Sequence, residues 1–158
     1  MKLRRPKGFT LVEIMIVVAI IALLSAISIP NLFRSRLNAN EAVAQGTLGV
    51  VTAACENFRA AQTPMRVPLN FAELTAAVPP YLDTSLDTAV VGIARKGYNY
   101  SFTRFNDNQF VCCASPEVYQ ATGERTFCVN ETGVLRSGDN GGAIINTEAA
   151  YYALTVCN

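Results

Sequence analysis

A chain of 158 residues with a formal net charge of +1 has room for an apolar anchor and one small globular head, not for two full domains beside the anchor. It contains no histidine. That removes the commonest general base, the Ser-His and Cys-His nucleophile pairs and the commonest metal ligand. No Gly-rich phosphate loop, Cys-x-x-Cys or paired-carboxylate motif stands out either. The expectation is a non-enzymatic protein with no catalytic residue, no cofactor and no metal site. Of the 13 basic residues, Lys2, Arg4, Arg5 and Lys7 precede Gly8, which leaves 9 basic against 12 acidic residues from Phe9 onward, net −3. Nucleic acid is not indicated as a partner.

Residues 1–8 form a short basic leader, and residues 9–33 are predominantly apolar. As a helix that run measures about 37 Å at 1.5 Å per residue, enough to span a bilayer. The basic leader predicts a cytoplasmic N-terminus and an exported head. One acidic residue, Glu13, interrupts the run. A cleaved secretory signal fits poorly, because the run is longer than an ordinary signal core and reaches Pro30 and Arg34 without a clear small-x-small break. A plain single-pass anchor accounts for Glu13, since Thr10-Leu11-Val12-Glu13 matches the S/T-x-x-E capping box and a carboxylate in the first turn suits the helix dipole. It does not account for Gly8-Phe9 directly after the leader.

Lys7-Gly8-Phe9-Thr10-Leu11-Val12-Glu13, followed by about twenty apolar residues and Pro30, resembles the N-terminus of type IV pilins and of the related type II secretion pseudopilins. The resemblance covers roughly residues 4–33. It implies cleavage between Gly8 and Phe9 by a prepilin peptidase, N-methylation of Phe9, and an assembly role for Glu13, whose carboxylate would meet the Phe9 amine of a neighbouring subunit. One departure is Ala22, where many pilins carry glycine and the helix unwinds in filaments. Alanine is a strong helix former and opposes unwinding there. Pro30 is a candidate kink of the assembly helix, with the end of the membrane helix as the alternative.

Beyond Pro30, Leu37, Ala44, Leu48, Val51, Cys55 and Phe58 recur at helical spacing, predicting an amphipathic helix over residues 34–61 in continuation of the first. Residues 62–89 form a connector punctuated by Pro64, Pro68, Pro79 and Pro80, with Asn70 capping a short helix over residues 71–78. Strand signals follow at residues 90–94, at Tyr98, Tyr100 and Phe102, at residues 109–114, and at residues 126–129 and 134–136 about the turn Asn130-Glu131-Thr132-Gly133. Residues 104–109 and 114–125 read as connecting loops. The tail opens with a flexible turn at residues 137–142. Its Asp139 and Asn140 offer two oxygen ligands, too few for a calcium site, so an ordinary loop is expected.

The expected fold class is α+β, a long N-terminal helix packed on a small antiparallel β-sheet head. Its domains are the leader 1–8, a transmembrane and assembly helix 9–33, an amphipathic helix 34–61 and a globular head 62–158. Five cysteines in an exported chain are disulfide candidates. Strand alternation turns Cys112 toward the helix stripe that carries Cys55 and turns Cys113 and Cys128 outward. The consistent pairing is Cys55–Cys112 and Cys113–Cys128 with Cys157 left over. A buried reduced Cys55, or a bridge from Cys157 to the sheet, fits as well. Family resemblance adds that pilins commonly carry a disulfide in the C-terminal region.

From the resemblance, the expected function is a structural subunit of a type IV pilus filament, with a type II secretion pseudopilin or a minor tip or adhesin pilin as alternatives. The implied partners are identical subunits in a homopolymer, the prepilin peptidase, the inner-membrane assembly machinery, and the membrane itself before assembly. The implied locations are the inner membrane for the precursor and the extracellular pilus for the assembled form.

Overall fold

The computed structural model describes residues 8–86 and 95–157. The strand expected at residues 90–94 lies outside the described residues. The chain divides into two units, Met1–Arg36 and Leu37–Asn158.

Helix α1 runs over Leu11–Ala61 with Pro30 inside it. Proline removes one N–H and leaves the carbonyl of Ala26 without its helical donor, yet the helix continues, which rules out Pro30 as the helix end. In the second unit α1 buries Ala44, Leu48, Val51, Cys55 and Phe58, the stripe set by the 3.6-residue period. The far face carries Gly46 and Gly49, and a Cβ added to either meets no atom within 4 Å. Both are helix-interior glycines with no steric reason in this chain to be glycine. Gly46→Ala and Gly49→Ala are each expected to raise the head's unfolding free energy by up to about 1 kcal/mol in urea titrations. A loss of stability would show that this face is packed.

After α1, helix α2 covers Phe71–Thr75. Asn70 caps it by accepting from the Glu73 N–H at 3.1 Å. It ends before residue 78, the expected limit. Val78 precedes a proline and is pushed away from helical geometry, and the Leu74 carbonyl is taken by the N–H groups of Tyr81 and Leu82 at 2.9 and 3.3 Å. A 3-10 turn follows at Thr84–Leu86.

The sheet is an antiparallel meander in the order β1-β2-β3-β4-β5. Its strands are β1 Tyr98–Arg104, β2 Phe110–Pro116, β3 Thr126–Asn130, β4 Leu135–Gly138 and β5 Thr155–Val156. Alternation along β2 sends Phe110, Cys112 and Ala114 to one face and Val111 and Cys113 to the other. The first face joins Tyr98, Tyr100, Phe127 and Val129 in a core shared with the α1 stripe and with Phe71 and Leu74 of α2. The β3–β4 turn forms as its sequence predicts. Asn130 Oδ1 accepts from the Thr132 N–H at 3.1 Å, and Gly133 takes φ +73°.

Two features of the C-terminal region were not anticipated. The second sheet face is not open to solvent, because every residue of β2 and β3 is buried. Ile145 and Tyr151 cover it and pack with Val111, Cys113 and Cys128. Residues 148–156, read only as a tail, form helix α3 at Glu148–Tyr152, capped by Thr147, and then edge strand β5. Tyr151 Oη donates to the Val134 carbonyl at 2.7 Å, and the Cys157 N–H donates to the Leu135 carbonyl at 2.9 Å. These bonds pin the end of the chain to β4.

The cysteines divide by face. Cys113 and Cys128 are register partners on β2 and β3 and form a disulfide with Cα atoms 4.1 Å apart. Cys55, Cys112 and Cys157 are free, so the expected Cys55–Cys112 bridge is absent, as is any bridge to Cys157. Cys55 and Cys112 lie wholly buried in the helix-side core and behave as small hydrophobes. Burial pushes the Cys55 thiol up to about 12 and the Cys112 thiol well above its ordinary value. That starves both of the thiolate on which disulfide exchange depends.

One tertiary contact was invisible in the sequence reading. Glu41 of α1 is 5% exposed and accepts from Arg125 Nη2 at 2.6 Å and Nε at 3.0 Å. It also accepts from the backbone N–H groups of Glu124 and Arg125, each at 3.3 Å. Asn40 Nδ2 donates to the Thr122 carbonyl at 2.9 Å, so one turn of α1 holds the loop between β2 and β3. In the same loop Gly123 leaves room for the Tyr98 hydroxyl, which a Cβ would strike and which donates to the Arg125 carbonyl at 3.0 Å. The available signal was phase: Glu41 falls three residues before Ala44, on the apolar stripe, where a carboxylate needs a partner.

Candidate functional site

The N-terminal unit is where the sequence concentrates its candidate residues. Gly8 and Phe9 precede α1, both exposed, Phe9 by 84%. Thr10 is the helix cap. The Glu13 carboxylate accepts from the Thr10 N–H and hydroxyl, each at 2.8 Å, and Thr10 Oγ1 accepts from the Glu13 N–H at 3.2 Å. This reciprocal pair satisfies two otherwise orphaned donors, as a capping box requires.

From Leu11 to Phe33 large apolar side chains point outward all around the helix, with Leu11, Met15, Leu23, Ile27, Leu32 and Phe33 each more than 60% exposed. This stretch of α1 is long and apolar enough to cross a membrane. A helix apolar on every side belongs in lipid or among other helices rather than in water. The structure therefore gathers Gly8, Phe9, Thr10 and Glu13 at one end of an unpartnered apolar helix. Pro30 is in the same unit. The five cysteines belong to the second unit.

Residues 3–29 match the family profile of the prokaryotic N-terminal methylation motif. Over 41 residues, 26% of this chain, the sequence is 56% identical to the type IV wide pilus major component PilA4 of Thermus thermophilus. Over its N-terminal segment the chain is similar to type IV pilins. A second pilin, the type IV major pilin protein PilA of Myxococcus xanthus, is 43% identical over 54 residues, 34% of this chain. The chain matches less than a third of the length of these curated relatives, 31% and 24% respectively. No solved structure matches the chain.

The methylation motif and the capped start of the apolar helix occupy the same segment. One relative is named as a pilus component and the other as a pilin protein. Among the described residues no cluster of three or more metal-ligating side chains occurs. Asp139 accepts from the Tyr119 hydroxyl at 2.8 Å, and Asn140 accepts from the Thr126 hydroxyl at 2.7 Å. Tyr98 and Tyr151 are core residues of the head, while Tyr152 is exposed.

Proposed function

We propose that this chain is a structural subunit of a type IV pilus filament, cut between Gly8 and Phe9, N-methylated at Phe9, and polymerised through residues 9–33. The observation that carries the proposal is the unpartnered apolar helix with Glu13 at its capped start, inside the methylation motif. Before assembly, lipid solvates that helix, with the N-terminus cytoplasmic and the head exported. In the filament, identical helices take the place of lipid and the fibre lies outside the cell. A prepilin peptidase and an inner-membrane assembly machinery are the partners such a route requires. In this reading residues 1–8 are removed, residues 9–33 assemble, residues 34–61 back the head, and Pro30 eases bending of the assembly helix.

Glu13 has two successive uses in this scheme. In the monomer it closes the capping box with Thr10. Cleavage creates an ammonium at Phe9, the residue next to Thr10, and close packing among apolar helices leaves a carboxylate no water to bind. Pairing with a neighbour's Phe9 amine satisfies both charges only in the correct axial register.

Electron microscopy of fibres sheared from cells, with mass spectrometry of the mature N-terminus, tests the proposal. The expected result is a filament made chiefly of this chain beginning at methylated Phe9. Absence of the chain from the fibres would overturn it. Gly8 gives a separate test. A Cβ there meets no atom within 4 Å among the described residues, so the effect of a larger residue is felt by the peptidase, which must approach the backbone closely. Gly8→Val is expected to accumulate the full-length precursor on an intact-mass measurement. A Gly8→Val chain that still matures to Phe9 would refute the assigned cut.

A further inference from the structure

Asn140 is followed by Gly141 and Gly142, in the loop that leads from β4 toward α3. A glycine successor has no side chain to keep its amide nitrogen from the asparagine Cγ. When that nitrogen attacks, the N–Cγ bond forms, the Cγ–Nδ2 bond breaks, and ammonia leaves carrying the amide proton. Water then opens the five-membered imide at either carbonyl, giving aspartate or isoaspartate. Water is the only co-reactant, and nothing is oxidised or reduced.

In this head all three reacting groups are already engaged. Asn140 Oδ1 accepts from Thr126 Oγ1 at 2.7 Å, Asn140 Nδ2 donates to the Ala143 carbonyl at 2.8 Å, and the Gly141 N–H donates to Asp139 Oδ1 at 3.2 Å. Thr126 is itself fully buried at the start of β3. Attack requires a near-contact of nucleophile and carbonyl carbon with aligned orbitals, and the side chain reaches that pose only after letting go of its partners. Local opening of the loop is thus the step that admits the chemistry.

We propose that Asn140 is a latent self-modification site, held in check by Thr126 and Ala143, whose conversion to a carboxylate makes opening of the loop irreversible. The product has lost its donor. An oxygen replaces Nδ2 opposite the Ala143 carbonyl, acceptor against acceptor, with the Asp139 carboxylate as a like charge next to it. The original seat is then unavailable. The loop borders a cavity of about 580 Å³ that is also lined by Ile144, Ile145 and Leu154. Ile145 is part of the layer over the Cys113–Cys128 disulfide, so a permanently opened loop loosens the cover on that face.

The test uses the full chain in detergent, aged in mildly alkaline buffer, with the C-terminal tryptic peptide that begins at Ser137 followed by mass spectrometry for replacement of the amide by an acid. Folded wild type is expected to convert at least tenfold more slowly than the same chain held unfolded in urea, on the order set by one or two hydrogen bonds. Thr126→Val, checked for a native circular dichroism spectrum, is expected to convert about fivefold faster than wild type. Thr126→Ser, which keeps the hydroxyl, is expected to match wild type. Equal rates for folded and unfolded wild type would overturn the proposal. So would a folded Thr126→Val chain that converts no faster than wild type. The urea comparison decides the matter if Thr126→Val does not fold.

Discussion

Glu13→Ala is expected to be cleaved and methylated like wild type and to yield at most about a tenth of the wild-type amount of ordered filament, since loss of one partner of a desolvated ion pair ordinarily costs a factor of ten or more in association. Within the monomer the substitution removes only the Glu13 side-chain half of a solvent-exposed capping box, so the head and the helix beyond its first turn keep their structure. In the proposed filament the same change would leave the Phe9 ammonium without a counter-charge among apolar helices. Registers that the carboxylate would have excluded become equivalent, and growth becomes slow and disordered. Glu13→Gln separates charge from hydrogen bonding, because it keeps an acceptor for Thr10 and has no charge for the amine. It is expected to fail in assembly as Ala does. Quantitative immunoblots of sheared fibres beside total chain make the measurement, and wild-type yields from either variant would remove Glu13 from the register mechanism.

Glu41→Ala is expected to lower the unfolding free energy of the head by about 2–3 kcal/mol, measured by urea titration. Glu41 is 5% exposed and receives four donors, two from the Arg125 guanidinium and two from backbone N–H groups. The Arg125 side chain is 51% exposed and regains water when its partner is lost, which keeps the cost below that of a fully buried pair. The backbone donors and the small cavity set the remainder. The carboxylate holds the Arg125 guanidinium more firmly protonated than usual. Because the contact ties α1 to the β2–β3 loop, the loss is expected to appear first as faster amide exchange over residues 117–125. A change below about half a kilocalorie, the range of ordinary surface substitutions, would show that the loop is held by Asn40 and Tyr98 without Glu41.

The residues differ in how openly the sequence announced them. Local patterns carried the α1 stripe from Ala44 to Phe58, the Tyr98-Tyr100-Phe102 alternation of β1, the Asn70 cap and the Asn130–Gly133 turn, because each is decided within a few residues by helical period, pleat or side-chain capping. Helix α3 did not show. Five residues are too few to display a period, and a helix that short persists only where tertiary contacts such as the Tyr151 bond to the Val134 carbonyl beside β4 hold it. The disulfide register was readable on β2 and β3, but Cys55 and Cys112 were misassigned because parity and facing do not separate a bridge from two buried free thiols.

By itself, the sequence determined the capping box and the apolar run of the N-terminal unit, which are local and contiguous, and the proposed leader and cleavage point are read from the same stretch. Only the tertiary structure decided that the second sheet face is covered, that Glu41 meets Arg125 across more than eighty residues, and which thiols stay free. Those outcomes depend on which distant segments share a face and exclude water from it, and no short stretch of chain encodes that.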